Sequence, residues 1–203
     1  MRIKILCICL LLLMFKCTCF GQQAPATFPL SAYPLLVPEN WHTEKFALPP
    51  PFVATLPFKG TEDIRFSPEW AKKGSEGYWT YAFLWTITDN ATFTQAQLQK
   101  YLHDYYTGLV IANLKEAKID TAIATPVKVN IRSIKKGNTD IQAFEAKVEM
   151  MDYMTHNPLS LNLRIHVKKV KPGIKATAVY FEASPQPYEH KVWIPMDELD
   201  KGL

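Results

Sequence analysis

Cysteine is missing from almost the whole chain: Cys7, Cys9, Cys17 and Cys19 are the only four, and none follows residue 19. A disulfide scaffold is thereby excluded for the rest of the protein, as is any site that needs a thiolate nucleophile or a cysteine–zinc cluster. Glycine is also scarce, with 8 in 203 residues, and none stands in a GxGxxG or GxxxxGK arrangement that would cradle a phosphate. Nor does one sign of charge dominate. The formal charge is +4, but Arg2, Lys4 and Lys16 fall in the first 21 residues, where there is no acid; without them 20 basic face 19 acidic side chains. Such a balance gives no electrostatic footprint for nucleic acid or an anionic membrane.

The apolar run from Ile5 to Phe15 follows Arg2 and Lys4. It is shorter than the about 20 residues a membrane-spanning helix needs, and it has the basic start and apolar centre of a secretory signal peptide. Cys19 and Gly21 supply small residues at the third and first positions before a cut, so cleavage is expected after Gly21, with segment 1–21 removed and Gln22 leading. The alternative is a lipoprotein acylated at Cys17 or Cys19, but Lys16 and Thr18 precede these cysteines where a small apolar residue is usual. The expected address is exported, periplasmic or secreted.

Nine of the fifteen prolines lie between Pro25 and Pro68. Proline removes ladder donors and fixes φ, so 22–77 reads as an extended, irregular arm. Phe46, Phe52, Phe58, Phe66 and Trp70 punctuate it and are expected to dock it on the domain surface. The remainder, 78–203, reads as an α+β domain. Trp79, Tyr81, Phe83, Trp85 and Ile87 share one parity of a strand and should face the core. Thr94 with Gln97 makes a capping box, Phe93 is placed to staple Leu98, and Leu98, Leu102, Tyr105, Leu109 and Ala112 continue at helical spacing to about Ala117. Gly108 falls on that face, which implies a flattened patch for close approach to the aromatic strand, or a hollow between Tyr105 and Trp85.

Period-two alternation then takes over. A turn at Gly137-Asn138 would set Ile131 opposite Phe144 and Val129 opposite Ala146, and a loop at Lys171-Pro172-Gly173 would set Leu163 opposite Phe181 and Ile165 opposite Val179. On the outer face the same register lines up Asn130, Glu145, Arg164 and Tyr180. The tail from Trp193 is expected to add a short strand and a helical turn. The predicted order is strand, one long helix, then a four-strand antiparallel meander forming a curved sheet, similar to cystatin-like and helix-grip folds. The inhibitory Gln-x-Val-x-Gly loop of cystatins has no counterpart at Gly137-Asn138, and fold likeness alone implies no activity.

The stretches Leu56-Pro57-Phe58-Lys59-Gly60, Arg65-Phe66-Ser67-Pro68 and Tyr78-Trp79-Thr80-Tyr81-Ala82-Phe83-Leu84-Trp85 together resemble a segment of uncharacterised secreted bacterial proteins. The resemblance implies a bacterial, exported setting and names no activity.

Catalytic patterns are few. Gly74-Ser75-Glu76-Gly77 lacks the spacing and the strand-to-helix setting of a nucleophile elbow, so a polar loop explains it. His42 and Glu44 form only the His-x-Glu half of a deaminase zinc site. His103, His156, His166 and His190 show no ligand spacing, and neither metal nor cofactor is expected. Asp152 and His156, at a strand end and in the following loop, are the catalytic candidates for a small hydrolase or isomerase, set against an ordinary Asn-Pro turn. The aromatic set Trp79, Tyr81, Trp85, Tyr101 and Tyr105 would either fill a core or line a cavity under the helix. The leading expectation is an exported, non-enzymatic binding or interaction domain for a small apolar or aromatic ligand or an envelope protein, without nucleic acid. A structural subunit docked through the proline-rich arm is the other alternative.

Overall fold

A computed structural model describes residues 35–168 and 175–203. The expected signal segment, its four cysteines and the Lys171–Gly173 loop lie outside the described residues.

The described chain forms one antiparallel sheet of seven strands: β1 (His42–Leu48), β2 (Gly60–Phe66), β3 (Tyr81–Ile87), β4 (Lys128–Ser133), β5 (Asp140–Met151), β6 (Pro158–Lys168) and β7 (Thr177–Ser184), in the order β1-β2-β3-β7-β6-β5-β4. Helix α1 (Gln95–Glu116) follows β3, and a shorter helix, α2 (Ile194–Lys201), follows β7. The class is α+β. The expected architecture of one long helix on a first strand plus a four-strand meander is corrected, because the arm itself supplies β1 and β2. Its prolines fall between the strands, at Pro49, Pro50, Pro51, Pro57 and Pro68, and leave two proline-free windows of seven residues. Averaged proline content concealed them. The charges in Gly60–Phe66 did so too, since Glu62, Asp63 and Arg65 are all buried in β2.

The helix begins as its capping box dictates: the Gln97 N–H donates to Thr94 Oγ1 at 3.2 Å, and the Thr94 N–H donates to Gln97 Oε1 at 2.9 Å. From there α1 runs back under the sheet to β4 at the far margin, and the meander β4 to β7 returns to the centre, where β7 pairs with β3. Two glutamines tie α1 to that margin, Gln95 Nε2 donating to the Ile131 carbonyl and Gln99 Nε2 to the Val129 carbonyl, both at 2.9 Å.

Both sheet faces are covered. Beneath α1 the core contains Trp79, Tyr81, Phe83, Trp85 and Ile87 with Leu98, Leu102, Tyr105, Tyr106, Val110 and Leu114. The opposite parity of β3, Ala82 and Leu84, joins Tyr180, Trp193, Met196 and Leu199 in a second, smaller core under α2. The sheet is therefore apolar on both faces where these cores meet it. The tail supplies that cover as helix, through a 3-10 turn at Lys191–Trp193 and then α2, with no strand.

The two registers are each displaced by two residues. Ile131 pairs with Ala146, Val129 with Val148 and Ser133 with Phe144, while Ile165 pairs with Phe181, Leu163 with Ala183 and Val167 with Val179. An even slip keeps every apolar side chain on its face, so the alternation could not detect it. The cause in the first hairpin is a longer loop. Asp140 Oδ2 accepts from the Gly137 N–H at 3.0 Å and the Asp140 N–H donates to the Gly137 carbonyl at 3.3 Å, closing the turn about Asp140. The outer-face ladder changes accordingly to Arg132, Glu145, Arg164 and Glu182. Arg164 pairs there with Asp197 of α2 at 2.6 Å, under Tyr188 and Trp193.

Gly108 does mark a close approach, but to the arm. A Cβ at 108 would lie 2.1 Å from the carbonyl oxygen of Phe52, in the 3-10 turn Pro51–Val53. The suggested hollow between Tyr105 and Trp85 is filled, with ring centroids 5.9 Å apart and Phe83 stacked on Tyr105.

Candidate functional site

The cleft that takes up the predicted aromatic residues opens on the other side of Tyr105. It has a volume of about 400 Å³ and lies between the β1–β2–β3 end of the sheet and the second half of α1. The sheet contributes Glu44, Phe46, Ile64, Phe66 and Tyr81; the helix contributes Tyr105, Leu109, Asn113 and Glu116. Phe52 enters from the 3-10 turn that Gly108 admits, and Trp70, Trp79 and Tyr153 close the end. Antiparallel pairing explains the sheet wall: Glu44 lies opposite Ile64, Phe66 opposite Tyr81, and side chains two apart share a face.

The rings are braced against one another. Phe66 and Trp70 centroids are 4.5 Å apart, Trp79 meets Tyr153 edge-on at 5.0 Å, and Phe52 meets Tyr105 edge-on at 5.2 Å. Trp79 takes a left-handed backbone (φ 54°), uncommon for a bulky residue, and its N–H donates to the Trp70 carbonyl at 2.8 Å. That bond fastens the two indoles in place. Strain retained next to a cavity is typical of positions held for shape.

Behind the aromatic wall lies a buried acid. Glu62 is fully enclosed; Tyr105 donates to its Oε1 at 2.5 Å and Trp85 Nε1 to its Oε2 at 3.1 Å. Burial pushes its pKa up to about 8 against the lowering effect of these two donors, so the carboxyl is neutral over most of the physiological range. Burial likewise raises the Tyr105 hydroxyl well above its ordinary value.

Of the five predicted ligand residues, Trp79, Tyr81 and Tyr105 line the cleft. Trp85 lies behind it on Glu62, and Tyr101 packs edge-on against Phe58 at 5.0 Å. The sequence reading missed Glu44, Asn113, Glu116 and Tyr153. It named Phe46, Phe52, Phe66 and Trp70 as docking residues without seeing that they wall a cavity; their recurrence along the arm was the usable signal.

Asp152 and His156 are in one turn, but their side chains are not joined. The His156 N–H donates to the Asp152 carbonyl at 2.7 Å, and the exposed imidazole sits on a left-handed residue (φ 59°). The Asp152 carboxylate accepts from Tyr78 and Thr155 hydroxyls at 2.5 Å and from the Met154 N–H at 2.8 Å. Burial raises its pKa, yet the donors from Thr155, Tyr78 and Met154 outweigh it and the net shift is downward. So committed, the carboxylate serves the turn and anchors Tyr78. Ser75 is likewise a loop residue, its hydroxyl donating to the Lys72 carbonyl at 2.8 Å.

One titratable cluster lies apart from the cleft. Asp140, His166 and Asp200 converge closely enough to offer three ligand atoms. The ammonium of the buried Lys168 already pairs with both carboxylates, with Asp140 at 3.1 Å and with Asp200 in a shorter contact. Its charge occupies the place a cation would take, and the cluster fastens α2 to β6.

No family model matches the chain, and no curated protein matches it in sequence. Among the described residues no helix is long and apolar enough to cross a membrane.

Proposed function

We propose that this is an exported, non-enzymatic binding protein that holds a small apolar or aromatic molecule in the cleft beneath α1. The observation that carries the reading is the lining: eight aromatic rings, from Phe46, Phe52, Phe66, Trp70, Trp79, Tyr81, Tyr105 and Tyr153, surround about 400 Å³ of space. Cavities of that size with a largely apolar wall and few polar groups suit small ligands. What speaks against chemistry at the predicted catalytic pair is the Asp152 carboxylate, whose acceptor capacity is used by Met154 and Thr155 of its own turn and by the Tyr78 hydroxyl. The exported setting rests on the basic start and apolar run before Gly21.

The test uses the neutral fluorophore N-phenyl-1-naphthylamine and native mass spectrometry of protein recovered from its own host. Uptake of the fluorophore is expected, displaced by whatever small molecule the protein retains. Leu109→Trp, which places bulk in the cleft, should abolish uptake without lowering the melting temperature. Absence of uptake by the wild-type protein, or uptake indifferent to Leu109→Trp, overturns the reading.

A further inference from the structure

We infer that the occupant of the cleft is an organic cation, a quaternary ammonium or a protonated amine carrying an apolar group. This rests on the cleft being a ligand site and adds the charge of the ligand. Eight aromatic faces account for an apolar guest of any kind; the polar groups at the mouth are what discriminate. Glu44 and Glu116 line the cleft, and no lysine, arginine or histidine does. Among the described residues neither carboxylate has an ion-pair partner within 4.0 Å; Lys45, next to Glu44, turns to the other face of β1 and meets Asp63 at 3.8 Å.

The helix wall also carries an acceptor. Asn113 donates one amide N–H to the Leu109 carbonyl at 2.8 Å and keeps its oxygen to offer a guest. Glu116 is also the last residue of α1, so the negative end of the helix dipole falls at the same rim. An anion here would meet two carboxylates at the negative end of the helix. A cation over the ring faces is attracted by their quadrupoles and by the acids together, the arrangement by which aromatic cages take ammonium groups. The charge of Glu44 is felt inside the site, adding to the burial that raises the pKa of Tyr153 and of Glu62.

The experiment compares phenyltrimethylammonium with its uncharged isostere tert-butylbenzene, following the indole signals of Trp70 and Trp79 by NMR on the full chain. The cation is expected to bind at least about tenfold more tightly, with a preference that shrinks as salt rises. In Glu44→Gln/Glu116→Gln the two affinities should converge, with an unchanged melting temperature showing that the variant is folded. Equal affinities in the wild-type protein, or a preference that survives both substitutions, overturn the charge assignment and leave the ligand cleft standing. Binding of neither probe overturns both.

Discussion

Gly108→Ala is the sharpest perturbation the fold permits, because two opposing effects act at one atom. In an exposed helix the change gains about 1 kcal/mol, since alanine has the better helix propensity. Here the added Cβ would stand 2.1 Å from the Phe52 carbonyl oxygen and 3.0 Å from its carbon, both backbone atoms. Non-bonded contacts settle near 3.5 Å, so the arm must retreat by roughly 1 Å. The segment has little freedom to do so: Pro49, Pro50 and Pro51 precede Phe52, and Val53 behind it is buried in the core. Overpacking of this kind costs about 1–3 kcal/mol, which exceeds the propensity gain over most of its range. The expected outcome is a melting temperature lower by a few degrees, at about 2–4 °C per kcal/mol for a chain of this size. His103→Ala on the exposed face of α1 should move it by less. Because Phe52 also walls the cleft, Gly108→Ala should weaken fluorophore uptake more than it weakens the fold. A melting temperature raised by the substitution, with uptake intact, would refute the seating of the 3-10 turn against the helix.

Glu62 and Glu182 are both buried acids with pKa values pushed from 4.5 to about 8, in each case chiefly by burial. Their folded-state values are raised, so the folded protein holds protons that the unfolded chain has released. Stability should therefore fall as pH rises from about 4.5 to 8, by up to about 1.4 kcal/mol per pH unit for each group, and level off above. Glu62→Gln should flatten the slope in denaturant titrations, and an unaltered slope would count against the buried neutral acid. Asp152→Ala is expected to cost about 1–3 kcal/mol, since it strands the Tyr78 and Thr155 hydroxyls and the Met154 N–H. His156→Gly should be neutral or slightly stabilising at its left-handed position; chemical denaturation of both variants checks the contrast. Intact mass of the exported protein should correspond to a chain starting at Gln22, whereas an acylated Cys17 or Cys19 would show a lipoprotein.

How far the sequence reached depends on which signals are local. The Thr94–Gln97 cap, the length of α1 and the inward parity of Trp79, Tyr81, Phe83 and Trp85 are set within a few residues, and they were legible. Registers depend on loop length. A two-residue slip leaves alternation untouched, so the Asp140-centred turn had no trace in the apolar pattern. β2 was hidden for another reason: Glu62 and Arg65 read as solvent-facing, yet one is kept neutral between Tyr105 and Trp85 while the other is satisfied by Asp63 and by the Leu35 and Leu36 carbonyls. All of those partners except Asp63 come from distant parts of the chain. The cleft was half visible for the same reason, since the strand and helix walls could be read from period and the wall contributed by Phe46, Phe52 and Phe66 required knowing that the arm pairs with β3 through β2.

The glutamine ties from α1 to β4 make the two margins of the sheet unlike. At β4 the Val129 and Ile131 carbonyls are engaged by the Gln99 and Gln95 side chains. At the other margin β1 ends the strand order among the described residues. Growth by strand addition requires two receptive edges per molecule, one to accept and one to pass on. A sheet stoppered at one side can join its like once, edge to edge about a two-fold axis, and then has nothing further to offer. Gln95 and Gln99 thus occupy two of the β4 carbonyls that strand addition at that margin would need.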